Sequence, residues 1–123
     1  MAPVPPTAVS DEMQPFTYIS AAYDLLKVGK TPVALQFLQS ATQQWPSYWL
    51  SYFLLANHYL SLKDPQAVDW FEKGYEYGNQ QKAYVHNYAL ALKQAERYED
   101  ANRILTQGLR DFPRDEDLKA LLN

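Results

Sequence analysis

The chain has 123 residues, 47% of them hydrophobic, with a net charge of −3, which suffices for one compact domain with a shared core and is too little for two ordinary ones. Eleven Lys and Arg, scattered among fourteen Asp and Glu, give no broad positive field to hold a phosphate backbone, so nucleic acid is not an expected partner. The absence of cysteine excludes a disulfide framework, a thiolate metal site and a thiol nucleophile, and leaves the redox compartment open.

Residues 1–14 come first. Pro3, Pro5 and Pro6, with Pro15 directly after, punctuate small and polar residues there, and no helical period survives them. The expectation is a flexible Pro-rich N-terminal lead or linker. It lacks the basic start and apolar stretch of a secretory signal, and it would suit a linker left when an upstream anchor or domain is cut away.

A helical pattern then begins with YISAAYDLL around Ala22. Gly29 can close that helix in the left-handed conformation, and Thr31-Pro32 offers an N-cap followed by proline at the first helical position. The next helix carries VALQFLQSA (33–41) and ends at Trp45-Pro46. The third, YFLLANHYL around Ala56, is the most apolar stretch, yet Ser51, Asn57, His58 and Ser61 interrupt it. It is far from the roughly 18 to 20 apolar residues of a membrane span. Asp64-Pro65 again reads as an N-cap and proline, followed by AVDWFEKG (67–74) and the stop Gly78-Asn79. YVHNYALAL around Ala89 and ANRILTQG (101–108) make the next pair, closed by Phe112-Pro113. Last comes 115–123, where Leu118, Leu121 and Leu122 share one face and the acids stand favourably at the helix start.

Aligning Ala34, Ala67 and Ala101 reveals self-similarity with steps of 33 and 34 residues. Seven residues on, each copy has another small residue (Ala41, Gly74, Gly108), and four on a bulky one (Leu38, Phe71, Leu105). A small residue lets the partner helix approach and a large neighbour fills the adjoining gap, so the unit is a helical hairpin. One hairpin of about 34 residues leaves an apolar face in water, and about three must stack, with a more polar helix sealing the end.

This pattern resembles the tetratricopeptide repeat family over about 15–123. The resemblance implies an all-α fold, a right-handed α-solenoid of antiparallel helix hairpins. The repeats would fall at about 15–48, 49–80 and 81–114, with a capping helix at 115–123. Two departures stand out: Ala21-Ala22 replaces the commonest leucine-glycine pair, and the turn Lys63-Asp64-Pro65 is one residue short. Pentatricopeptide repeats have a similar period but bind RNA, which the acidic balance disfavours.

No catalytic set emerges. The carboxylates form no recurrent pair in an apolar setting, and no serine is flanked by the glycines of a nucleophile elbow. His58 and His86 fall on neighbouring first helices, but a stable metal site wants three or four ligands, so surface or groove-wall histidines are the better reading. No enzyme activity, metal or cofactor is expected. Most aromatics, among them Tyr18, Tyr52, Tyr59, Trp70 and Phe71, occupy repeat positions that pack on the partner helix.

In the family, first helices line a concave groove. Carried over, the resemblance places Phe16, Ile19, Tyr23, Leu26 and Lys27 of repeat one on that surface. Repeat two contributes Leu50, Phe53, Asn57, Leu60 and Ser61, and repeat three Ala83, His86, Leu90, Lys93 and Gln94. Apart from Leu90 the surface grades from apolar to polar and basic, the kind of stripe that marks a protein contact. Asn57 and Asn87 match two positions where asparagines hold a ligand backbone in peptide-binding members; the alternative is that Asn87 serves a hydrogen bond between repeats. Phe53 stands where a carboxylate-gripping lysine would, so a C-terminal carboxylate is not the expected ligand.

The expected function is a scaffold or chaperone-like adaptor that binds a segment of a partner protein. The style of the repeats suits bacterial secretion, pilus or envelope assembly factors by fold analogy. The alternative is a self-association module, the groove pairing with another copy. No membrane insertion is expected, and localisation is left open between cytoplasm and periplasm if the source is bacterial.

Overall fold

The computed structural model describes residues 14–122. The expected lead lies outside these apart from Gln14, as does Asn123. Among the described residues there are seven α-helices and no strand: α1 Pro15–Lys27, α2 Thr31–Gln44, α3 Trp49–Ser61, α4 Gln66–Gly78, α5 Lys82–Gln94, α6 Tyr98–Asp111 and α7 Glu116–Leu121. The connections are short, so sequential helices fold back on one another. α1 packs on α2, α3 on α4 and α5 on α6; α2 joins α3 and α4 joins α5; α1, α3, α5 and α7 also touch in series. The odd helices therefore form one layer and α2, α4 and α6 the other, an α-solenoid of helix hairpins.

The three first helices end alike. Gly29 (φ 82), Lys63 (φ 56) and Glu96 (φ 60) take the left-handed conformation. The next amide in each case reaches back: Lys30 N to Leu25 O at 2.9 Å, Asp64 N to Tyr59 O at 2.9 Å and Arg97 N to Leu92 O at 2.8 Å. These are Schellman closures, which satisfy carbonyls that the helix leaves bare. Only Gly29 announces itself in sequence. A side chain in this region costs roughly 1 to 2 kcal/mol. Glu96→Gly and Lys63→Gly are therefore expected to raise stability by about 0.5 to 1 kcal/mol each, and Gly29→Ala to lower it by about 1 kcal/mol. Urea midpoints of the three variants check both signs.

The same closures shift the next start. Lys30, not Thr31, is the N-cap of α2, because its carbonyl accepts from Ala34 N at 3.1 Å while its amide closes α1. Thr31 and Pro32 are thus the first two helical residues. At α4 the N-cap is Pro65 and not Asp64, which stands one residue ahead and whose Oδ1 accepts from Gln66 N, the first helical amide, at 2.9 Å.

The small residues sit at the crossings: Ala22, Ala34, Ala41, Ala56, Ala67, Ala89 and Ala101 are all buried. Two side-chain clusters form the core. One joins Tyr18, Ile19, Ala22, Leu38 and Ala41 to Leu55 of α3; the other runs from Tyr52 and Ala56 through Phe71 and Tyr84 to Leu105 and Leu118. Trp70, half-buried on α4, packs against both. Contact with α1, α2, α4 and α5 explains why α3 is apolar nearly all round.

Tyr84 is the centre of the larger cluster. Its hydroxyl donates to Phe71 O at 2.6 Å, and its ring meets Phe71 edge-on at 5.4 Å and stacks with Phe53 at 5.9 Å. Burial pushes its phenol far above the ordinary tyrosine range. α7 seals the other end: Leu118 is fully buried, Asp115 Oδ1 accepts from Leu118 N at 2.9 Å, and Lys82 Nζ lies 3.2 Å from Asp115 Oδ2. The Leu118 amide, and after it Lys82, hold the Asp115 carboxyl below the usual carboxylate range. Leu122 does not share in the seal, for it follows the helix in extended conformation and is 39% exposed.

Candidate functional site

The odd helices leave a series of clefts along their layer. Between α1 and α3 lies a cleft of about 300 Å³ lined by Phe16, Ile19, Ser20, Tyr23, Asp24, Leu50 and Leu54. Phe16 is 63% exposed and Tyr23 47%, whereas Ile19, at 1%, forms the floor and not a free wall. The exposed rings stand two helical turns apart on α1, opposite leucines four residues apart on α3, so both walls follow from helical period.

Between α3 and α5 the surface is closed by its own hydrogen bonds. Asn87 Nδ2 donates to Asn57 Oδ1 at 2.9 Å, and His86 Nδ1 lies 2.9 Å from Asn87 Oδ1. The asparagine pair thus links two repeats. Phe53 is half-buried, its ring turned into the aromatic core 5.5 Å from Trp49 and 6.5 Å from Phe71. Leu54, not singled out from the sequence, takes the wall position. Leu60 and Leu26 pack against the two core clusters.

Beyond α5 the lining becomes polar. Lys82, Ala83, His86, Asn87, Asp115 and Asp117 surround a shallow cleft between α5 and α7. Lys93 does not project freely there, since its Nζ donates to Leu121 O at 2.9 Å and holds the end of α7. Gln94 is exposed at the far end of α5, beside a separate cleft with Lys63 and Asp64, while Leu90 is half-buried. Lys27 is exposed, over the Tyr23 ring at 5.0 Å and 3.7 Å from Asp24 Oδ1. His58 is half-buried against Tyr59 at 5.3 Å. Among the described residues no three His, Asp or Glu side chains gather as a metal site, and no helix is long and apolar enough to cross a membrane.

The groove therefore has an open apolar end, a self-satisfied amide centre and a polar end. Asn57→Ala would leave the half-buried Asn87 amide short of a partner, so its expected cost is about 1 kcal/mol even without ligand. A double-mutant cycle with Asn87→Ala in thermal unfolding is expected to show coupling of about 0.5 to 1.5 kcal/mol. Independent effects would mean that the bond contributes nothing.

No family model matches the chain, and no curated protein matches it in sequence. Among solved structures, a variant of MamA, a tetratricopeptide-repeat protein, superposes with a TM-score of 0.70 over 94% of this chain and 67% of that one, at 16% identity. The chain thus has a tetratricopeptide-like fold, an α-solenoid of helix hairpins.

Proposed function

We propose that this domain binds a segment of another protein along the layer of odd helices, as a scaffold or chaperone-like adaptor. The observation that carries the reading is the open cleft in which Phe16 and Tyr23 of α1 stay exposed opposite Leu50 and Leu54 of α3. Large apolar side chains left in water on a preformed surface are what a partner's anchors bury. A place in secretion, pilus or envelope assembly is the finer form of this proposal, supported by fold analogy alone.

Selection of displayed random decapeptides on the immobilised chain tests the general reading. Peptides whose binding is lost on Tyr23→Glu, with the thermal midpoint of the variant unchanged, are the expected result. Failure to select any peptide above background, from a monodisperse and folded sample, would sink it. Self-association through the same groove is separated by sedimentation over a concentration series, because a dimer that buries Tyr23 and Leu54 leaves no peptide site.

A further inference from the structure

Charge is distributed unevenly along this chain. Residues 31–62, which include all of α2 and α3, contain no Asp, Glu, Lys or Arg, whereas twenty of the twenty-five charged residues lie from Lys63 onward. The cleft between α1 and α3 inherits this neutrality. Its one charged residue is Asp24, 3.7 Å from Lys27 Nζ, a pair with no net charge. At the other end of the groove both lysines are already engaged, Lys82 with Asp115 at 3.2 Å and Lys93 with the Leu121 carbonyl at 2.9 Å, which leaves the Asp117 carboxylate as the charge lining that cleft.

The consequence is a selection rule. An ion entering the apolar cleft would give up part of its water against apolar walls and find no free counter-charge there, a net loss. An aliphatic or aromatic side chain entering the same space gives up nothing polar and covers Phe16, Tyr23 and Leu54. The volume of about 300 Å³ stands at the lower limit of small-ligand sites and suits anchor side chains better than a folded element. We infer that the partner is engaged at the α1–α3 end, by an uncharged segment with apolar anchors, and that charge contributes little to its affinity. This deepens the groove reading above and rests on it.

The test uses the selected decapeptides themselves, acetylated and amidated, titrated into the full chain by amide NMR and by fluorescence polarisation. The expected consensus is rich in Leu, Ile, Phe or Trp and poor in acidic and basic residues, with the largest shifts at Tyr23, Leu50 and Leu54. The dissociation constant should change by less than about twofold between about 0.05 and 0.5 M salt, since screening has no charge pair to weaken. Tyr23→Glu should weaken binding by about tenfold or more, and His86→Ala by less than about twofold. An acidic or basic consensus, a steep salt dependence, or shifts centred on Lys82 and His86 would overturn the inference while leaving groove binding intact. Two control results would overturn it by naming another occupant. If a chain beginning at Gln14 shows altered Tyr23 and Leu54 signals without peptide, residues 1–13 fill the cleft. If those signals move with protein concentration alone, a second copy does.

Discussion

Gly78→Ala is expected to destabilise the domain by about 3 kcal/mol, and Gly74→Ala by a similar amount, near the upper limit for adding one methyl group to a packed core. A Cβ at Gly78 would be driven against the Cγ–Cδ2–Cε2 edge of the Tyr84 ring, 2.6 Å from Cγ and 2.7 Å from Cε2; one at Gly74 would lie 2.5 Å from Tyr52 Cβ and 2.6 Å from Tyr84 Oη. Neither tyrosine can turn away, because the Tyr84 hydroxyl is held by Phe71 O and the Tyr52 hydroxyl by Pro46 O at 2.7 Å. At an unobstructed helical site the same change would stabilise by up to about 1 kcal/mol, so the sign of the result is itself the test. Gly108→Ala meets only Val85 Cγ1 closely, at 2.7 Å, and should cost less. A urea midpoint for Gly78→Ala equal to the parent's would show that α4 and α5 do not approach as described.

Tyr84→Ala should cost about 3 to 5 kcal/mol, and Tyr84→Phe only about 1 kcal/mol at neutral pH. The first empties the centre of the larger cluster; the second removes one hydrogen bond. The phenylalanine variant has a second signature at high pH. Burial raises the phenols of Tyr84, Tyr88, Tyr75, Tyr18 and Tyr52 above the ordinary value of 10.0. A phenol with a raised folded pKa keeps a proton that the unfolded chain releases. Its contribution is therefore full below about pH 10 and is lost as pH rises above that toward the folded value. Denaturant unfolding from pH 8 upward should show stability falling beyond about pH 10, with a shallower fall in Tyr84→Phe than in the parent. Parallel profiles for the two proteins would contradict the burial of this hydroxyl.

The hairpin architecture was legible because helix crossings demand small residues, and Ala34, Ala67 and Ala101 mark those crossings at a helical repeat's spacing. Gly78 was read only as a helix stop, since nothing local says that a tyrosine ring six residues later will lie against it. Lys63 and Glu96 give no sign of their left-handed backbone; the closure they make belongs to the repeat, and only Gly29 carries its usual residue. In the groove, family position suggested Phe53, but a ring large enough to reach Phe71 and Tyr84 is drawn into the core. Leu54, four residues after Leu50, stands on the wall instead. A period of four from Leu50 was the available signal. The bond between Asn57 and Asn87 spans two repeats, and its existence depends on a distance that spacing along one helix cannot supply. Lys93 was placed on the groove by family position on α5, and that position does not tell that the Leu121 carbonyl at the end of α7 lies within its reach.

The division of the core into two clusters bears on which parts of the molecule open together. The first hairpin contributes five of the six buried members of its own cluster, with Leu55 as the single buried residue from α3, whereas the remaining hairpins share one continuous set. Amide hydrogen exchange should therefore sort the chain into two cooperative units, with α1 and α2 exchanging through a partial opening and α4 to α6 only through global unfolding. Because α1 is one wall of the apolar cleft, that partial opening dismantles the cleft. A bound segment would slow exchange throughout the first hairpin, including in α2, which it does not touch, and the affinity measured would include the free energy of keeping this hairpin docked.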